Sequence, residues 1–204
     1  MAKIKLPSYI KEGRGRMEDA VLVTMPNGEM YMKPYKKHYS NTENQAEVRK
    51  AFATLVKDWK YLTGVISDSW ELGTDGTNAS GYNIFMGANI SHRRNGEPLE
   101  LSKGTGEELL MNFTAETGTS AGEIICSFLP PEAGCHVTIF ARREVELGLI
   151  SKFTRYDAGA NPSSPYTITG LENGEQYYIY AVVTDAQYDT ALTVSQSVAA
   201  LATA

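Results

Sequence analysis

His38, His92 and His136 stand far apart in the chain, and Cys126 and Cys135 are its only cysteines. A structural zinc site draws four such ligands from short paired spacings, and neither a C-x8-C pair nor three scattered histidines supplies one. No Ser or Cys sits in a recognisable nucleophile motif beside a histidine. The Gly-rich stretch "GTDGTNASG" at 73–81 lacks a lysine in the phosphate-loop position. "SKGTGEE" at 102–108 lacks the longer spacing and the preceding strand, so both read as loops. A glycosidase carboxylate pair need only be near in space, but the acidic residues are more simply a solvated surface. Sequons at Asn78, Asn89 and Asn112 matter only in an exported eukaryotic protein. The expectation is therefore a protein that is not an enzyme, with no catalytic residue, no cofactor and no metal. In "EIICSF", Ile124, Cys126 and Phe128 fall on one face of a strand, which makes Cys126 a small buried hydrophobe. Whether it pairs with Cys135 stays open.

The elements that must position any site fall into two parts. Residues 1–103 hold 15 Lys and Arg against 12 Asp and Glu, whereas residues 104–204 hold 4 against 12. The hydrophobic period changes near "SHRRNGEPLELSKGTG", where Gly, Pro and mixed charge separate helical from strand patterning. The expected organisation is α+β in two units: a β-hairpin plus short helices over 1–103, and an antiparallel β-sandwich over 106–204.

In "AVLVTMPNGEMYMKPY" two strand-like runs flank Pro26-Asn27-Gly28, and Asn-Gly accepts the positive φ of a tight hairpin turn. Ser40 and Glu43 have capping-box spacing. Val48, Phe52, Leu55, Val56, Trp59 and Leu62 then recur in steps of three and four, the stripe of an amphipathic helix. "TGVISDSWELG" and "NASGYNIFMGANISHRR" read as two further helices, with Trp59, Trp70, Tyr82 and Phe85 as core. The arrangement of Gln45, Arg49 and Phe52, followed by "SGYNIFMGANI", is similar to a pattern in uncharacterised bacterial proteins of Bacteroides-like genomes, phage and mobile elements, over residues 15–92. That resemblance implies a context and no chemistry.

Residues 106–204 carry about seven short alternating segments separated by turn residues, the pattern of a β-sandwich. Within them, "YTITGLENGEQYYIYAVV" resembles the E-to-F region of a fibronectin type III domain. The resemblance implies that Leu171 plugs the core and that Tyr177 takes the tyrosine-corner position, with Ile179, Ala181 and Val183 continuing the inward face. It places Val137 and Ile139 on strand C and Ile124, Cys126 and Phe128 on strand B, where the family usually has a Trp.

The function expected is a non-enzymatic structural, assembly or interaction protein of prophage or mobile-element origin that displays the sandwich to a protein partner. Two alternatives stay open: a surface adhesion or carbohydrate-binding module, and a nucleic-acid-associated protein using a basic arm formed by Lys11, Arg14, Arg16, Lys36 and Lys37. The helical unit itself is not expected to bind a duplex, which needs a cationic face, because residues 41–92 carry more acidic than basic side chains. Partner contact is expected on the loop "TDAQYDTALTVSQ", with Tyr188 as an aromatic platform among Asp185, Gln187 and Asp189; the plainer role for Tyr188 is packing over the sandwich end. No run of apolar residues is long enough to span a membrane, and the start of the chain lacks the apolar core of an export signal. Synthesis in the cytoplasm with release in a virion fits both; an extracellular site fits if a signal has been trimmed.

Overall fold

The structure is a computed structural model that describes residues 2–3, 15–17, 20–25, 29–35, 42–72, 79–105, 110–145 and 151–204. It divides into two compact units, Met1–Thr42 and Glu43–Ala204.

In the first unit, β3 (Ala20–Thr24) and β4 (Met30–Pro34) form the expected antiparallel hairpin, registered from Thr24 opposite Met30 to Ala20 opposite Pro34. The Met25 N–H donates to the Glu29 carbonyl at 2.8 Å next to the turn; Pro26, Asn27 and Gly28 themselves lie outside the described residues. The hairpin is not alone. β1 (Ala2–Lys3) pairs with β4, and β2 (Gly15–Met17) pairs with β3, giving the order β1-β4-β3-β2. The stretch expected to be a basic arm thus contributes two strands. The physical reason is that an isolated hairpin is marginal in water and leaves both edges of unpaired N–H and C=O groups open.

The second unit begins with three helices: α1 (Glu43–Tyr61), α2 (Val65–Leu72) and α3 (Gly81–Asn95). Ser40 of the expected capping box lies outside the described residues. α3 starts where the Ser80 hydroxyl accepts from the Asn83 N–H, and it ends at Gly96 in the left-handed conformation at φ 69°. Gly81 is demanded by close approach: a Cβ there would lie 2.7 Å from the Glu71 backbone nitrogen, so α3 could not start against the end of α2 with any larger residue. Trp70 stacks edge-on to Phe85, with ring centres 5.4 Å apart, and Trp59 meets both Phe85 and Tyr82. The expected aromatic core is thus formed. The expected stripe of α1 is turned, however. Ala51, Thr54, Leu55, Asp58 and Leu62 are buried, while Val48 and Phe52 stay 38% and 47% exposed.

Among the described residues, seven strands follow. β5 (Thr114–Thr117), β6 (Ile124–Ser127) and β9 (Tyr166–Ile168) form one sheet in the order β5-β6-β9. β7 (His136–Arg143), β8 (Thr154–Ala160), β10 (Gln176–Thr184) and β11 (Val198–Thr203) form the other in the order β11-β10-β7-β8. This is a two-sheet antiparallel sandwich with A-B-E and G-F-C-C′ strand order, and the protein is α+β. Ile124, Cys126, Phe128, Val137, Ile139, Ile168, Tyr177, Ile179, Ala181 and Val183 meet between the sheets as expected. Leu171 is half-buried against them. The Tyr177 hydroxyl accepts from the Glu172 N–H at 3.0 Å, which is the tyrosine-corner bond back to a backbone group upstream.

The far face of the four-stranded sheet is buried as well. Phe140, Tyr180 and Val182 join Leu55, Leu62, Val65, Ile66, Trp70 and Phe85 in a second core, so β7 and β10 are covered by a sheet on one side and helices on the other. Residues 97–105, where a linker was expected, are stitched into this core. Trp70 Nε1 donates to the Leu101 carbonyl at 2.8 Å, the Leu99 N–H to the Tyr180 hydroxyl at 3.1 Å, and the Ser102 hydroxyl to the Ser195 carbonyl at 2.6 Å. Leu99, Leu101 and Ser102 are buried. The division expected at 103–106 therefore falls inside a shared core, and the compact units part instead at Thr42 and Glu43.

Candidate functional site

The loop between β10 and β11 lies at the same pole as the β6–β7 loop, because Thr184 at the end of β10 is registered opposite His136 at the start of β7. Asp185 opens it. The carboxylate Oδ1 accepts from the Leu192 and Thr193 N–H groups at 3.0 and 3.4 Å, tying the two ends of the loop together. Desolvation alone would raise the Asp185 carboxyl, but these amide donors outweigh it and hold it below the usual range. The exposed Gln187 lends its carbonyl to the Thr190 N–H and hydroxyl, which makes the turn at the loop tip.

Tyr188 is no exposed platform: it is 5% exposed. Its hydroxyl donates to the Thr63 carbonyl at 2.6 Å, and its ring meets Phe140 edge-on with centres 5.7 Å apart. It lies against Gly64, which has positive φ and joins α1 to α2. The Arg155 guanidinium covers it at 4.9 Å and is itself held by Asp189 through two bonds of 2.8 and 3.1 Å. Burial pushes the Tyr188 phenol up to about 12. The Arg155 hydrogen bond holds Asp189 below the usual carboxylate range. The four expected residues share one loop, but Tyr188 is neither an exposed platform nor a cover over the sandwich end: it packs on the outer face of the sheet against the α1–α2 junction. Asp185 and Asp189 shape the loop around it.

What Tyr188 does leave is a cleft of about 210 Å³ between the α1–α2 junction and the sheet, walled by Tyr61, Leu62, Ile66, Phe140, Phe153 and Tyr188 with Arg155 at its mouth. Sequence reasoning missed Tyr61, Phe153 and Arg155, because nothing in the spacing indicates that a helix end will lie against β8. A second depression of about 350 Å³ is lined by Arg143, Ser151, Lys152, Thr154, Glu172 and Tyr177 among others. There Arg143 bridges Glu172 at 2.8 Å and Glu175 at 2.7 Å, so its charge is already answered.

Other groups singled out for chemistry fall apart in space. Cys126 is buried between the sheets and desolvation pushes its thiol up to about 12, far from a reactive thiolate; Cys135 is half-buried, and no disulfide joins the two. His92 pairs with Glu97 at 3.3 Å at the end of α3. Among the described residues no group of three or more His, Cys, Asp or Glu could hold a metal ion. Lys11, Arg14, Lys36 and Lys37 lie outside the described residues, and Arg16 is placed only as the β2 residue opposite Val21. No described helix is long and apolar enough to cross a membrane.

No family model matches the sequence, and no curated protein matches it. Solved structures match about half of the chain and are fibronectin type III domains. The FN5 domain of Drosophila Lar is 18% identical, covers 47% of this chain and 95% of its own length, and has a TM-score of 0.34. A Fn3-like protein from Clostridium thermocellum is 14% identical, with 48% and 93% covered and a TM-score of 0.35. FN3tt is 16% identical, with 46% and 89% covered and a TM-score of 0.32. Scores this low carry no weight of their own. The description of the sandwich as fibronectin type III-like rests on its strand order and the Tyr177 corner.

Proposed function

We propose that the protein is a non-enzymatic structural or assembly component that binds another protein chain through the sheet of residues 2–34 and presents the helix-braced sandwich. The observation that supports this is an imbalance of burial. The body from Glu43 onward has two dense cores. Across residues 20–25 and 29–35, Met30 is buried; Val21, Leu22 and Val23 are half-buried, and Met25, Met32 and Tyr35 are 44%, 36% and 37% exposed. A four-stranded sheet of this size needs an apolar face covered to be stable, and exposed apolar surface of this kind marks contact sites. The setting of a prophage or mobile-element particle rests on the resemblance of residues 15–92 to uncharacterised bacterial proteins.

Light scattering and chemical cross-linking of the full chain, beside a chain lacking residues 1–42, test the reading. The expected result is that the shortened chain keeps its fold and loses association with itself or with its partner. If removing 1–42 unfolds the remainder, the sheet is part of the fold and not a contact surface, and the reading fails.

A further inference from the structure

The seam between the helices and the sheet holds an ion pair in a dry place. Asp58 of α1 accepts from Arg142 of β7 at 2.8 Å, and the two side chains are 0% and 2% exposed. The Arg142 guanidinium lies 5.0 Å from the centre of the Phe153 ring. Arg93 of α3 is close enough to act on both charges. Even with two cations nearby, desolvation dominates: burial holds the Asp58 carboxyl above its usual range, and burial with the Arg142 charge holds the Arg93 guanidinium below its own. The second carboxylate oxygen, Asp58 Oδ2, is buried without a hydrogen-bond partner. Dehydrating a pair in this position can cost as much as its attraction returns, so net stability is a poor account of it.

What the pair supplies is a position. Around it Leu55, Phe85, Phe140 and Val182 make contacts that are non-directional, while the indole and hydroxyl bonds of Trp70, Tyr180 and Tyr188 engage Leu101, Leu99 and Thr63 and not α1. Such a surface would accept α1 displaced by a turn. A buried guanidinium would not, since every displaced docking leaves it without its carboxylate. On the sheet, Arg142 sits opposite Tyr178, two residue pairs along from the Phe140–Tyr180 pair and on the same face; the Tyr178 hydroxyl donates to the Gly96 carbonyl at the end of α3, so Arg142 is the group there that answers α1.

We propose that the Asp58–Arg142 pair is a register lock, admitting a single docking of the helical layer on the β7–β10 face. The test uses the full chain with Asp58→Leu, Arg142→Leu, both together, and Asp58→Asn, read by thermal melting and by hydrogen exchange. Each single Leu variant leaves a buried charge without its hydrogen-bonded partner and lowers Tm by about 10 °C. The double variant melts within about 3 °C of the parent, or above it, yet exchanges about tenfold faster or more in α1 and residues 97–105 while β6 and the inner half of the sandwich stay protected. Asp58→Asn, which keeps an acceptor for Arg142, melts between the two and retains the parent exchange pattern. A double variant with parental exchange throughout would overturn the proposal, because the apolar seam would then set its own register. So would a double variant whose Tm falls as far as the singles, which would make the pair a stabiliser, or single variants that leave Tm unmoved.

Discussion

The two faces of the β7–β10 sheet are built from different materials. Toward the other sheet β10 presents Tyr177, Ile179, Ala181 and Val183, and β7 presents Val137, Ile139 and Ala141. Toward the helices the same strands present Tyr180, Val182, Phe140 and the charged Arg142, with Tyr178 partly covered. The inner face is aliphatic apart from its corner tyrosine, and every position follows from period-two alternation. The outer face is aromatic, uses hydroxyls and one guanidinium to reach the helices and the chain beside them, and depends on residues 81 to 125 positions away in the chain. A sandwich that stands alone would present that face to water; this one cannot.

The largest expected effect comes from removing the outer cover. The isolated fragment 106–204 would expose Phe140, Tyr180 and Val182 together, and large buried apolar side chains are worth about 1.5–3 kcal/mol each. It is expected to aggregate or to bind a hydrophobic dye, while 43–204 gives a cooperative urea transition. A well-behaved 106–204 fragment with a sharp transition would show that the helices are an accessory. Limited proteolysis is expected to spare residues 97–105 in the intact chain for the same reason; an early cut there would restore the linker.

Next in size is Trp70→Ala, which empties the middle of the outer core and frees the Leu101 carbonyl. A loss of about 3–5 kcal/mol is expected from the urea midpoint. A matched comparison follows in Tyr177→Phe and Tyr180→Phe, one hydroxyl on each face. Each leaves a backbone N–H without its acceptor, that of Glu172 or of Leu99, at about 1–3 kcal/mol. Hydrogen exchange separates them: Tyr180→Phe is expected to speed exchange near Leu99, Tyr177→Phe near Glu172. If both variants loosen the same segment, the two faces are one cooperative unit.

The smallest effect is expected for Asp189→Asn. The carboxyl is depressed by Arg155, so any contribution to stability is present above the ordinary aspartate range and is lost as pH falls through the depressed value. At the surface, water and salt screen the pair, so melting curves at pH 7 should superimpose on those of the parent. A clear drop would show that Asp189 holds Arg155 over Tyr188 as part of the outer core.

The sequence by itself determined the local elements and the inner core. The hairpin of Ala20 to Pro34, the three helices, the seven strands and the role of Tyr177 all follow from short-range rules: turn residues, periodicity, and the fixed offset between a corner tyrosine and its backbone partner. The run "YYIYAVV" in β10 also held a clue that alternation hides, since a strand apolar at consecutive positions is one covered on both sides. Only the tertiary structure decided what covers it. The Asp58–Arg142 bond, the burial of Tyr188 against Thr63 and the capture of residues 97–105 join parts of the chain that share no period and no motif. A polar stretch such as "NGEPLELSKG" reads as a linker because its residue types favour loops. Its Leu99, Leu101 and Ser102 are buried here because backbone donors and acceptors of the stretch find partners in Trp70, Tyr180 and Ser197, and that pairing exists only once both layers have folded.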